Sequence, residues 1–173
     1  MLKNILLVIA LAIVVVLILA WRKPDTLHVE RSTTIRAPAE KIQGILSDFH
    51  QWEVWSPWEK LDPNMKRTFG GAQSGPGATY AWTGDSKVGE GKMEILSSSP
   101  SKVAIKLDFL EPFEAHNTAT FALNSAGDGT NVVWSMDGPT PFVSKVMQVF
   151  MNMDAMIGKD FEKGLANLKA AAE

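Results

Sequence analysis

IRAPAEKIQGILSDFHQWEVWSPW, residues 35 to 58, is the stretch on which the architecture turns. Pro38 stops the extended segment before it and, followed by Glu40, opens a helix. Within that helix Ile42, Ile45, Leu46 and Phe49 recur at i, i+3, i+4 and i+7, which gives one buried stripe. Asp48 is placed to cap a second short helical stretch carrying Trp52, Trp55 and Trp58, broken by Ser56 and Pro57. The segment therefore reads as a kinked pair of short helices.

Working outward, HVERSTTIRAP (residues 28 to 38) puts Val29, Thr33 and Ile35 on one side and polar residues on the other, the pattern of a strand. On the far side come turn signals at Gly70 and Gly71, Ser74 to Gly77, Gly84 with Asp85, Ser97 to Pro100, and Gly127 to Gly129. Period-two strands lie between them. The clearest has Val103, Ile105, Leu107 and Phe109 alternating with Lys102, Ala104, Lys106 and Asp108. Ala119, Phe121 and Leu123 repeat the pattern, as do Val132, Trp134 and Met136, joined across the turn at Gly127, Asp128 and Gly129. An antiparallel meander of about six or seven strands is expected. Pro139 and Pro141 then break the chain, and Phe142 to Met151 forms a shorter helix of its own. Met153, Ile157, Phe161, Leu165 and Leu168 follow at three- and four-residue steps, opposite Lys159, Glu162, Lys163 and Lys169. That is a long amphipathic C-terminal helix. The fold class is α+β, a curved antiparallel sheet against a long helix.

The N-terminus has a different character. From Ile5 to Trp21 the chain reads ILLVIALAIVVVLILAW, with no charge, flanked by Lys3 before and Arg22, Lys23 and Pro24 after. It is apolar all round and just long enough to cross the hydrocarbon of a bilayer, with Trp21 at headgroup level. A cleaved signal peptide also begins with a Lys and an apolar run. Against that, the run exceeds a usual signal core, and Ile18 with Ala20 makes a poor cleavage pair. The organisation expected is a transmembrane anchor over residues 1–23, a linker over 24–27 and one domain over 28–173. Lys3 together with the terminal amine nearly balances Arg22 and Lys23 under the positive-inside rule, so orientation is weakly marked. The reading adopted is a single-pass, bacterial-style inner-membrane anchor with the domain outside the cytoplasm.

Composition narrows the functional classes. The 173 residues are 46% hydrophobic and 21% charged, as in an ordinary globular protein. A net charge of -2, with no basic run beyond Lys23, lacks the footprint a phosphate backbone requires, so nucleic acid is excluded as a partner. The absence of cysteine removes disulfides, thiolate metal sites and a Cys nucleophile. His28, His50 and His116 are dispersed, without a second ligand at metal spacing. No Gly-x-Ser-x-Gly elbow occurs, and the glycines of VGEGK and of Gly75-Pro76-Gly77 lack the Lys and helix of a phosphate cradle. No cofactor or metal is expected, and catalytic residues are not identified. The one opening for acid–base chemistry is Glu90, Glu94, Glu111 or Glu114, if one pointed into an apolar interior where desolvation raises its pKa.

The stretch from Ile35 to Trp58, with GTNVVWSMDG (129 to 138) and IGKDFEKGLANLK (157 to 169), resembles the polyketide cyclase/dehydrase-like branch of the START-like or SRPBCC superfamily. The resemblance covers nearly all of residues 27 to 172. It implies a helix-grip fold in which the sheet wraps the C-terminal helix and leaves a cavity between them for an apolar ligand. Trp52, Trp55 and Trp58 would form the lid or floor of that cavity, and Trp82, Phe109, Phe121, Trp134 and Met136 would line it from the sheet. Met153, Ile157 and Phe161 would line it from the helix. The same residue types build an ordinary core, and Met147, Met151, Met153 and Met156 would suit either packing or an adaptable pocket mouth. Because the superfamily holds lipid carriers, receptors, cyclases and chaperone activators, three functions follow. The first is a membrane-anchored carrier of a lipid or other apolar small molecule. The alternatives are a cyclase/dehydrase-like enzyme and a non-catalytic protein-interaction module.

Overall fold

The structure is a computed structural model that describes all of residues 1–173. Helix α1 (Leu2–Trp21) precedes strand β1 (Thr26–Ile35), which opens inside the stretch read as a linker. The kinked pair follows as α2 (Ala39–Leu46), a 3₁₀ turn at Phe49–Gln51 and α3 (Trp52–Trp55). Asp48 caps the 3₁₀ turn by accepting from the His50 N–H, and Ser56 ends α3 in an extended conformation, so Trp58 lies beyond the helix.

The meander comprises β2 (Lys66–Gly71), β3 (Ala78–Thr83), β4 (Glu90–Ser99), β5 (Lys102–Glu111), β6 (Ala115–Ala126) and β7 (Gly129–Pro139). All neighbours are antiparallel in one seven-stranded sheet of order β1-β7-β6-β5-β4-β3-β2. Consecutive strands pair with consecutive strands, except that β1 returns to lie against β7 with Thr26 opposite Pro139 and Ile35 opposite Thr130. The period-two pattern now has a physical meaning: Val103 and Ile105, Phe121 and Leu123, Val132, Trp134 and Met136 all turn to one buried face. A β-bulge between Ile95 and Ser97 interrupts the register of β4, and such bulges sharpen the local bend of a sheet.

Helices α4 (Phe142–Phe150) and α5 (Met153–Ala172) close the chain. Helix α5 buries Phe161, Leu165 and Leu168 on the inner face of the sheet and is pinned along β1. At its N-terminal half Arg31, on the inward side of β1, donates to Glu162 at 2.9 Å and Asp154 at 3.0 Å, and lies against Gly158. At its other end Lys169 Nζ donates to the Thr34 carbonyl, and the Glu173 carboxylate accepts from the Arg36 N–H.

Candidate functional site

Between the sheet and α5 lies a continuous layer of aromatic rings. Trp52 and Trp55 from α3 sit 4.8 Å apart. Trp55 then meets Phe121 of β6 edge-on at 5.9 Å and Trp134 of β7 at 5.5 Å. Trp134 stacks flat on Phe161 of α5 at 3.9 Å and 5°, and Trp58 closes the group against both at 5.8 and 6.4 Å. Local sequence makes this possible: one turn of helix separates Trp52 from Trp55, and the α3 terminus at Ser56-Pro57 swings Trp58 round to α5. Burying each indole removes roughly 150–250 Å² from water, worth about 4–6 kcal/mol by area.

Six of the proposed lining residues, Trp52, Trp55, Trp58, Phe121, Trp134 and Phe161, are thus brought into one cluster. Trp82 and Phe109 pair edge-on at 6.0 Å farther along the sheet, linked back through Tyr80, Phe49 and Trp52. Met136 is buried in the same core, whereas Met153 and Ile157 are half-buried near the start of α5. Of the other methionines, Met151 and Met156 are exposed.

The polar atoms of the layer divide into two kinds. Trp52 Nε1 donates to the Leu46 carbonyl at 3.2 Å and Trp82 Nε1 to the Val88 carbonyl at 3.0 Å. Trp55 Nε1 and Trp134 Nε1 are equally buried and meet no acceptor. A buried donor without a partner costs about 1–3 kcal/mol, and neighbouring π faces are weak acceptors. Two such atoms lie in this one apolar layer, and the third buried polar atom without a partner, Thr140 Oγ1, lies outside it.

The layer is tightly packed where α5 crosses it. Helix α5 approaches so near at Gly164 that a Cβ there would lie 2.7 Å from Trp134 Cζ3. Two surface hollows lie elsewhere. One, of about 440 Å³, is on the outer face of the sheet, lined by polar residues including Lys106, Asp108, His116 and Asp137. The other, of about 210 Å³, lies between Phe49, His50, Phe69 and Ala78 beside the edge strand β2.

The acids expected to be available for chemistry do not enter the layer: Glu94, Glu111 and Glu114 are exposed and Glu90 is half-buried. The buried charges are ones that pattern reading passed over. Glu59 is 6% exposed, accepts from Tyr80 at 2.6 Å and pairs with Arg67 at 2.7 Å. Burial first, then its bond to Glu59, pushes the Tyr80 hydroxyl well above its ordinary pKa. Asp108 is buried on the outer face under Lys106 at 2.9 Å and His116 at 2.8 Å. Burial opposes its ionisation, but the hydrogen bonds of His116 and Lys106 outweigh that and hold its carboxyl below the usual range. Arg31 carried a readable signal: the alternation that turns Val29 and Ile35 inward turns Arg31 inward too. The signal for Glu59 was absent, because its partners come from β2 and β3.

Residues 26–173 match the family model described as polyketide cyclase/dehydrase and lipid transport. No curated protein matches the chain in sequence. Among solved structures, the protein Ms6760 from Mycobacterium smegmatis is similar at 22% identity and TM-score 0.58, over 86% of this chain and 92% of that one. The Aha1 dimer from Colwellia psychrerythraea is similar at 14% and 0.59, over 85% and 96%. The di-domain ARO/CYC BexL is similar at 14% and 0.61, over 90% of this chain and 52% of its own. At such identities the likeness is one of fold, the helix-grip arrangement expected from the sequence.

Proposed function

The chain belongs to the polyketide cyclase/dehydrase and lipid transport family, and from that premise we propose that it is a membrane-anchored protein that binds or transfers a lipid or other apolar small molecule. The ligand sits between the sheet and α5, within the layer of Trp52, Trp55, Trp58, Phe121, Trp134 and Phe161. The observation that carries this reading is the pair of unpartnered indole N–H groups, Trp55 Nε1 and Trp134 Nε1, inside an otherwise apolar layer. Binding sites for small molecules are mostly apolar with a few fixed polar groups that orient the ligand, and these two donors have that character. The closed layer is the empty state. Entry requires α5 to lift from Trp134, and Arg31, held by Asp154 and Glu162, is the latch that returns it.

Retention of α1 as an anchor is supported by its packing. The helix has a mean hydropathy of 3.0 over 18 residues and packs against α4, and its less exposed positions, Val16 and Ala20, share one side. A leader removed from the mature protein would leave that contact bare. The anchor holds the domain beside the phase in which apolar ligands are stored, at the outer surface of a bacterial inner membrane.

The test is to purify the full chain in a mild detergent and examine it by native mass spectrometry and solvent extraction. A stoichiometric apolar molecule is expected, and Trp134→Ala should reduce its retention at least about tenfold, equivalent to about 1.4 kcal/mol. An empty protein that also fails to bind a panel of fluorescent lipids refutes the reading.

A further inference from the structure

Helix α4 is amphipathic, but much of its apolar side is left uncovered by the domain. Phe142, Val143, Val146, Val149 and Phe150 fall within one side of the helix, with Ser144, Lys145 and Gln148 opposite. A surface helix normally buries the apolar side. Here the one fully buried residue of α4 is Lys145, which pairs with Asp25, while Val146 and Val149 are half-buried and Phe142, Val143 and Phe150 are 47%, 69% and 72% exposed. Two contacts to Asp25 hold this end of the chain in place. The Lys145 ammonium is held by the Asp25 carboxylate in the segment just after α1, and the Thr140 N–H donates to the Asp25 carbonyl at 2.7 Å. Helix α4 also lies directly against α1, the most apolar segment of the chain.

The same end of the sheet presents a further apolar side chain. Because Thr26 pairs with Pro139 and Asp137 with Thr118, the β5–β6 turn lies at the end from which α1 and α4 emerge. Phe113 in that turn is 65% exposed. The opposite end, at the Gly127-Asp128 turn, is about 33 Å away along the eleven residues of β7.

We propose that α4 is an interfacial membrane helix, lying in the bilayer surface beside α1 with Phe142, Val143 and Phe150 in lipid, so that this end of the sheet is docked on the membrane and not merely tethered near it. The occupant of the exposed face is the lipid bilayer, because the face is continuous with the helix proposed to span it. The least exposed positions of α1, Val16 and Ala20, fall in its last two turns, and so set α4 at the level of the outer leaflet. Docking also holds Met153 and Ile157, which begin α5, at the membrane surface. This inference rests on the retained anchor.

The chain contains no cysteine, so single cysteines report without background. The full chain with Val143→Cys, Phe150→Cys, Val8→Cys or Asp128→Cys would be labelled with a nitroxide, reconstituted into phosphatidylcholine vesicles and its depth read from collision with oxygen against a polar nickel complex. Circular dichroism checks that each variant keeps its fold. The label at 8 is expected deep in the bilayer, those at 143 and 150 about 5–10 Å into the headgroup–acyl boundary, and that at 128 in water. A deep label at 8 with labels at 143 and 150 as aqueous as 128 overturns the docking and leaves the anchor standing. An aqueous label at 8 overturns the anchor and the docking together.

Discussion

Helices α4 and α5 follow one another across Met151 and Asn152, and they sort their residues in opposite senses. In α5 Phe161, at 2% exposure, lies flat on Trp134 and the charged residues face out. In α4 Lys145 is buried and Phe150 is out. The sequence rule that produces both is the same three- and four-residue spacing. What differs is the solvent each apolar side meets: in one case a sheet, in the other the surroundings of α1. An amphipathic pattern states which residues share a side, and only a neighbouring element states whether that side faces inward.

The sharpest way to break this comparison is to truncate the matching residue of each helix. Phe161→Ala should destabilise the full chain by about 3–5 kcal/mol in chemical denaturation, as for a large aromatic lost from a tight core. Phe150→Ala should stay within about 0.5 kcal/mol in detergent micelles. Equal losses from the two variants would show that α4 packs as a core helix.

A second contrast uses glycines. Gly164→Ala should cost about 1–3 kcal/mol, because the new methyl meets Trp134 and the crowding exceeds the helix-propensity gain. At Gly44, in α2, a Cβ meets nothing within 4 Å, so Gly44→Ala should stabilise by about 0.5–1 kcal/mol. A neutral Gly164→Ala, read from the thermal midpoint beside it, would mean that α5 does not press on the layer as described.

Removing the Tyr80 hydroxyl takes from Glu59 its 2.6 Å donor while Arg67 remains, so Tyr80→Phe should lose about 1 kcal/mol and leave ligand retention unchanged. A loss of ligand with unchanged stability would move that acid into the binding site.

The smallest effects are those of pH, and they lie away from the layer. The Asp108 pKa is lowered in the folded protein, so its contribution is present above the unfolded carboxylate value of about 3.9 and is lost as pH falls through the folded one. Denaturation curves between neutral and acid pH should flatten in Asp108→Asn. His28 moves the other way: its hydrogen bond to Asp137, partly opposed by desolvation, raises its pKa. Its small contribution is present below about 6.5 and fades as pH rises through the raised value.

Most of the architecture was legible because periodicity carries it. The alternation of Val103 to Phe109 and the spacing of Met153 to Leu168 each report one buried side, and the observed strands and helices follow them. Trp52, Trp55 and Trp134 stood out as large rings on the right elements. That they touch one another depends on the β1–β7 closure and on the break at Ser56-Pro57, which no local pattern encodes. The tight packing of the layer under α5 and the burial of Lys145 are likewise products of long-range contacts.

The most direct test of the central account is the indole ¹⁵N–¹H spectrum of the full chain in phosphatidylcholine nanodiscs, before and after adding an apolar extract of the host membrane. The account predicts that the Trp55 and Trp134 N–H resonances, unpartnered in the closed layer, move downfield as they acquire an acceptor, while those of Trp52 and Trp82, already bonded, shift little. Unmoved Trp55 and Trp134 signals in the presence of a retained ligand would place the binding site outside the layer.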